Sequence, residues 1–240
     1  MKRSLPSSNE PPYSGFAQYY DEAMGDQSAK ITLLKGLVAE YAPTARKILE
    51  LACGTGTILE GFSNNFLLTG IDLSPEMLSI ARTKAPSAKL LKGDMRNFTL
   101  DEQYDVVLCI FNSINHLTNF SDWLVVFRRA WEHLLPDGIF IFDVNTLERL
   151  KKISQLSTSY DELSHGELWI ELCQIKKQFR WIIHMRPKDS DHEYIETFDE
   201  IAVPTEIIST NLERDFKLLE VITKTGYEGE AILYFVAQKI

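Results

Sequence analysis

Residues 48–62, ILELACGTGTILEGF, pass from an apolar run into a small-residue loop around Gly54 and Gly56 and out again into an amphipathic stretch. A strand, a tight turn and a helix in that order are what the change of pattern predicts. The same alternation recurs downstream. Short apolar runs at 47–52, 67–73, 88–93, 104–110 and 138–144 are separated by amphipathic segments such as 75-PEMLSIARTKA-85 and 121-SDWLVVFRRAWEHLL-135. Near-continuous apolar strands divided by helices imply a parallel sheet covered on both faces, because right-handed crossovers place helices on each side. The expected fold class is therefore α/β, a doubly wound, mainly parallel sheet.

Helix signals agree. Ser74 can cap a helix with Pro75 at its first position, and Ser121 can cap the next, which Leu135-Pro136-Asp137-Gly138 would stop. From Phe16 to about Tyr41, the spacing of Ile31, Leu34, Leu37 and Val38 reads as two short helices. Beyond Leu150, 167–176, 178–186 and 193–203 read as successive strands without intervening helices, an antiparallel β insertion. Pro204 opens a helix through Arg214, and 216–223 with 231–240 close the sheet as a hairpin. Four parts follow: a helical cap over 1–42, a cofactor-binding core over 43–150, the β insertion over 151–203 above the substrate cleft, and the rest of the core over 204–240. Residues 1–14, rich in Pro and Ser, are expected to order only against the body or a ligand. The segment 146–152 reads as solvated helix.

Composition narrows the partners. The chain has 240 residues, 45% hydrophobic, with a formal net charge of -9, so a nucleic-acid backbone or an anionic membrane meets a repulsive surface. Cys53, Cys109 and Cys173 are scattered and form no metal-spaced cluster, which predicts no metal and a reducing, cytoplasmic setting. No window approaches the roughly 20 apolar residues of a membrane span, and no apolar run follows the basic amino terminus as a signal peptide requires. The expected partner is a small molecule, and a homodimer is the assembly compatible with that expectation.

In an open sheet of this plan a ligand sits beyond the carboxyl ends of the strands where their order reverses. Gly54 and Gly56 lie there. A phosphate loop would continue Gly-Lys-Ser/Thr, but the residues are Gly56-Thr57-Ile58, and a dinucleotide fingerprint would want Gly or Ala where Leu59 stands. Asp72 follows the glycines at the distance that suits a ribose diol, while Glu50 repels pyrophosphate and favours positive charge. S-adenosylmethionine, a nucleoside with a sulfonium and an ammonium but no phosphate, satisfies both conditions.

With these residues in view, the chain resembles the class I S-adenosylmethionine-dependent methyltransferases, in their small-molecule, amine and amino-sugar branch. Five blocks carry the likeness between Ile48 and Thr146: ELACGTGT, GIDLSPEML, KGDMRNF, YDVVLCIFNSINHL and LLPDGIFIFDVNT. The resemblance implies a seven-stranded sheet with a terminal antiparallel hairpin strand. It also implies that Glu50, Ala52, Gly54 and Gly56 line the methionine part of the cofactor and that Asp72 and Leu73 hold the ribose. Met77 and Met95 would pack on the adenine, Asp94 would accept from its amino group, Phe111 would close the pocket and Tyr20 would cover it. His116, just past the fourth strand, is the candidate catalytic residue; His133, His165, His184 and His192 read as surface or sheet residues. Trp169, Trp181, Tyr194 and Phe198 are expected mostly to build the insertion's own core.

The resemblance implies methyl transfer to an amine nitrogen, with oxygen next. Phe111-Asn112-Ser113-Ile114 stands where the Asn/Asp-Pro-Pro-aromatic tetrad of base and glutamine methyltransferases would be. Two rivals are a non-catalytic S-adenosylmethionine-binding regulatory or partner protein and a nicotinamide-dependent reductase. The reductase is disfavoured by Leu59 and by the absence of a Tyr-x-x-x-Lys pair.

Overall fold

Apolar residues on both sides of each central strand dictate a sheet buried on two faces, and the computed structural model has one. It describes residues 3–4, 13, 15–188, 193–225 and 231–240. In chain order the elements are β1 (Arg3–Ser4), α1 (Ala17–Met24), α2 (Ser28–Tyr41), β2 (Lys47–Leu51), α3 (Thr57–Phe62), β3 (Leu67–Asp72), α4 (Pro75–Lys84), β4 (Lys89–Lys92) and β5 (Tyr104–Cys109). A 3-10 turn (Ser113–His116) follows, then α5 (Phe120–His133), β6 (Leu134–Asn145), α6 (Leu147–Ile153), β7 (Ser159–Leu163), β8 (Gly166–Ile175) and β9 (Gln178–Pro187). The last are β10 (Glu193–Glu200), α7 (Thr205–Leu212), β11 (Phe216–Thr225) and β12 (Ala231–Lys239).

Seven strands form the main sheet in the order β11-β12-β6-β5-β2-β3-β4. β12 runs antiparallel to both neighbours, while β4, β3, β2, β5 and β6 pair in parallel. Strand order reverses between β2 and β5, so the crevice expected of this topology opens past Leu51 and Cys109. Alternation along each strand assigns its faces. Leu49, Leu51, Val107, Cys109, Phe140 and Phe142 pack on one side with Trp123, Phe127 and Ala130 of α5 and with Ile208 and Leu212 of α7. Ile48, Val106, Leu108, Ile139 and Ile141 pack on the other with Leu34 and Leu37 of α2, Ile58 and Phe62 of α3 and Leu78 of α4. Phe142 and Phe235 stack at 4.9 Å across the β6–β12 pair.

The cap of α4 follows the sequence: Ser74 Oγ accepts from Met77 N at 3.2 Å with Pro75 in the first turn. The cap assigned to Ser121 does not form. Asn119 occupies the N-cap without a side-chain bond and the helix starts at Phe120, because burial of Trp123, whose Nε1 donates to Leu117 O at 2.8 Å, fixes where the turn tightens. His133 is neither on the surface nor in a strand. It lies buried at the end of α5, where Nε2 accepts from Leu100 N at 3.1 Å. His192 lies outside the described residues. Along 146–152 the helix is solvated on one side only, since Leu150 is buried against Leu172 and Phe179.

The insertion is a second sheet, ordered β1-β10-β9-β8-β7. Two of its strands were not legible: β7 at one edge, and β1, which comes from the amino terminus and pairs in parallel with β10. This sheet and α1 share a core of Phe16, Tyr19, Leu163, Leu168, Ile183 and Met185, so cap and insertion meet over the main sheet. Buried Asn115 joins them to the body. Its Nδ2 donates to Asn145 O at 3.1 Å and Ile201 O at 2.8 Å, and its Oδ1 accepts from Asn145 N at 3.1 Å. Asn115→Ala should cost about 1–3 kcal/mol for each partner left buried without a bond, read as a lower urea midpoint; an unchanged midpoint would refute this.

Candidate functional site

Three consecutive alternations in the loop after β2 place Ala52, Gly54 and Gly56 at φ of 54°, 52° and 78°. L side chains rarely adopt this left-handed region. The two glycines serve different ends. A Cβ on Gly56 would stand 3.0 Å from Ala81 Cβ, so its bareness lets the loop seat against α4, whereas a Cβ on Gly54 would meet nothing within 4 Å and would project into open space. Asp72, at the end of β3, orients the loop: its Oδ2 accepts from Gly54 N and its Oδ1 from Ser74 N, each at 2.8 Å.

The loop after β5 is shaped in a similar way. Phe111 and Asn112 both have positive φ, 64° and 56°. Buried Asp143 on β6 secures them, its Oδ1 accepting from Asn112 N at 2.7 Å while Lys30 Nζ reaches Oδ2 at 3.2 Å and lies 4.2 Å above the Phe111 ring. From the cap, Asp21 accepts from Thr55 Oγ1 at 2.5 Å and pairs with Lys84 at 2.7 Å. Helix α1 is thereby fastened to the glycine loop and to α4.

These elements enclose a cleft lined by Tyr13, Tyr20, Ala52, Gly54, Asp72, Leu73, Met77, Gly93, Met95, Phe111, Ser113 and His116. Nine of the residues singled out in the sequence meet there. Glu50, Gly56 and Asp94 are not among the residues that line it. Asp94 is held by Arg96, whose Nη2 reaches Oδ2 at 2.6 Å and whose Nε lies 3.0 Å from Oδ1; those bonds keep its carboxyl below the usual range. Gly93 and Met95 form the wall on either side of it. Tyr13, Gly93 and Ser113 carried no signal of their own, although Tyr13 sits in an aromatic run, PPYSGFAQYY, that could have marked a covering segment.

His116 separates the cleft from a second hollow lined by Thr118, Arg180, Thr197, Phe198 and Asp199. Its Nε2 lies 3.3 Å from Tyr13 Oη and 3.7 Å from Glu200 Oε1, and Phe198 packs on its ring at 4.7 Å. Nδ1 is buried without a partner. Burial lowers the imidazole to about 4, so it is neutral at pH 7. Glu200, which the sequence reading missed for want of any local pattern, is also buried; Asn145 Nδ2 donates to its Oε2 at 2.9 Å. Of the insertion aromatics, only Phe198 reaches the hollow. Trp169 stacks on His184 at 4.9 Å, Tyr194 joins the core shared with α1, and Trp181 packs near Leu172 and Phe179.

The carboxylates under the glycine loop are costly to keep charged. Burial, then the neighbouring Asp72 charge, pushes Glu50 well above its ordinary value, and its Oε2 is buried without a partner. Burial also raises Asp72, against the N–H groups of Ser74 and Gly54. An orphaned carboxyl oxygen and an open cradle at Gly54 suit a ligand that brings positive charge and close van der Waals contact. S-adenosylmethionine meets both demands. Among the described residues no group of acidic, His or Cys side chains could hold a metal ion, and no helix is long and apolar enough to cross a membrane.

Comparisons with known proteins bear on the family and the fold. A family profile described as a methyltransferase domain matches residues 48–138. The chain is 37% identical over 137 residues to the dTDP-3-amino-3,6-dideoxy-alpha-D-glucopyranose N,N-dimethyltransferase of Streptomyces fradiae, covering 55% of this chain and 54% of that protein. It is 30% identical over 184 residues to the malonyl-(acyl-carrier protein) O-methyltransferase of Bacillus anthracis, covering 71% and 66%. The chain thus spans about half to two thirds of the lengths of these two relatives. A solved sugar N-methyltransferase from Streptoalloteichus superposes with a TM-score of 0.83 at 20% identity, covering 98% of this chain and 97% of its own. The chain carries a class I S-adenosylmethionine-dependent methyltransferase domain in the Rossmann-like fold of that class.

The Glu200 carboxyl gives a pH test of the site. Burial raises it to about 7, with Asn145 and Arg149 opposing and Asp143 adding. A carboxyl raised in the folded state favours folding while protonated, so its contribution is lost as pH rises from about 4.5 through 7. Glu200→Gln removes that loss. Denaturant titrations should therefore show the variant gaining on wild type between pH 5 and about 8, and a constant difference across that range would refute the assignment.

Proposed function

We propose that this chain transfers the methyl group of S-adenosylmethionine to the amine nitrogen of a small molecule bound beneath the insertion. The observation that carries the reading is a neutral, half-buried imidazole, His116, standing between the cofactor cleft and a second hollow. Support comes from the amino-sugar relative and from the fold of the sugar N-methyltransferase. An oxygen acceptor, suggested by the relative from Bacillus anthracis, is the lesser reading, because Asp199 on the hollow and Glu200 beside His116 are carboxyls that suit an ammonium.

The bound cofactor supplies an electrophilic methyl on a sulfonium; the chain's task is to hold, orient and dry the reactants. Glu50, Ala52, Gly54 and Gly56 are proposed to surround its methionine part, and Asp72 and Leu73 its ribose. Met77 and Met95 would flank the adenine, Asp94, oriented by Arg96, would accept from the amino group, and Phe111 and Tyr20 would close the cleft. Tyr13 and Ser113 join this set from the structure. Thr118, Thr197 and the Arg180–Asp199 pair, 2.7 Å apart, offer hydroxyls and paired charges of the kind that recognise a polyhydroxylated ring. An amine must lose a proton before it can attack, and the free Nδ1 of neutral His116 can accept it.

Calorimetry with S-adenosylmethionine and mass spectrometry of a reaction with an amino sugar test the reading together. Binding with a mass gain of one or two methyl groups is expected, and binding without any methylated product would overturn it. Gly54→Ala should weaken cofactor binding by about tenfold or more, since the added methyl enters the cleft, with about 1–2 kcal/mol of stability lost to left-handed strain. Unchanged affinity would remove Gly54 from the site. His116→Ala should lower turnover more than cofactor affinity; equal losses would assign it a structural role.

A further inference from the structure

We propose that Glu200 is a positioning residue that, through His116, takes up the proton released by the acceptor amine. The inference rests on the amine reading above and extends it to a residue of the insertion. Three geometric facts carry it. Glu200 Oε1 faces His116 Nε2 at 3.7 Å, while its other oxygen is fixed by Asn145 Nδ2 at 2.9 Å. His116 Nδ1 is buried with no partner, so its hydrogen bond is left for a ligand to supply once the ring turns toward the cleft. The strand end bearing Glu200 is itself bolted to the core, because Ile201 N donates to Asn115 O at 3.0 Å and Ile201 O accepts from Asn115 Nδ2 at 2.8 Å.

The proton balance is closed without another reactant. The ammonium N–H bond of the acceptor breaks and its electron pair stays on nitrogen as the attacking lone pair. The proton joins His116 Nδ1, and the Nε2 proton passes to Glu200 Oε1, so the imidazole ends neutral and the carboxylate ends as a carboxylic acid. A carboxyl whose value burial has raised to about 7 can receive that proton near neutral pH and release it afterwards. A separation of 3.7 Å is one small rotation from a hydrogen bond, and such contacts tighten when a ligand fills the site.

The groups facing the pair are Tyr13 from the amino-terminal segment, Asp143 from β6, Arg149 from α6 and, near Tyr13, Glu196 from β10. Their charges bias Glu200, and Tyr13 Oη, 3.3 Å from His116 Nε2, shares with Glu200 the nitrogen that faces it. The hollow beyond His116 is also walled by Asp199, already engaged by Arg180.

Nitrogen-15 NMR of histidine-labelled protein tests the coupling without any reaction. In wild type the His116 ring resonances should inflect near pH 7 as Glu200 titrates, and Glu200→Gln should abolish that inflection. An inflection missing from wild type, or persisting in the variant, overturns the proposal. With S-adenosylmethionine and dTDP-3-amino-3,6-dideoxyglucose as the probe, Glu200→Gln should lower kcat by about tenfold or more at little change in KM and flatten the acid limb of the kcat profile. Glu200→Asp should restore part of the rate. Full activity in the Gln variant, or a matching loss of cofactor affinity, overturns the role. If wild type methylates no amine, the amine reading fails and the proton-uptake role fails with it, while the NMR titration separately decides whether the two side chains are coupled.

Discussion

The Asp72 carboxylate, shared between Gly54 N and Ser74 N at 2.8 Å each, is the contact on which the site depends. It joins the loop after β2 to the start of α4, and so sets the width of the crevice exactly where strand order reverses. Both bonds are charge-assisted and largely shielded from water, which makes them stronger than their surface equivalents. A glycine loop without this tie would have backbone N–H groups but no fixed direction for them. Ser74 then does double duty, since its N–H serves Asp72 while its Oγ caps α4.

The main sheet was legible because each of its strands is a short apolar run with turn residues on both sides, and two-sided burial leaves little choice of register. The glycine loop was legible because a positive φ and close packing restrict composition so sharply. What escaped detection is equally physical. β7 is mostly exposed, with Tyr160 51% accessible, so it has no apolar face for a pattern to reveal. β1 is a strand of two residues whose existence depends on a partner 190 positions away. Glu200 and Asn115 act through buried hydrogen bonds between distant segments, and no local spacing encodes such a bond.

Charge explains why the crevice suits one class of ligand. Glu50, Asp72, Asp143 and Glu200 are all buried or largely so, and of these Asp143 has a cationic partner in Lys30 within 4 Å. Keeping several carboxyls beneath one cleft costs solvation energy that hydrogen bonds to backbone N–H groups only partly offset. A cationic ligand recovers some of that cost on binding, whereas a pyrophosphate would add to it. The same argument that disfavours dinucleotides at the glycine loop therefore bears on the proposed acceptor: a protonated amine would be drawn toward this region before losing its proton.

The attachment of the insertion decides whether such an amine is held at the right place. A roof carried only by flexible loops would sample many positions relative to the cleft, and a displacement of about 1 Å can cost a hundredfold in rate. Here the last insertion strand is followed by Ile201, whose N–H donates to the Asn115 carbonyl and whose carbonyl accepts from the Asn115 side-chain amide, and Asn115 lies in the same 3-10 turn as His116. The turn that presents the imidazole to the cleft thus also anchors the strand that presents Phe198 and Glu200. Any shift of the roof would carry through this turn to His116, so the proposed acceptor binding and proton uptake would be mechanically one unit, to which the Arg180–Asp199 pair adds a further tie between β9 and β10.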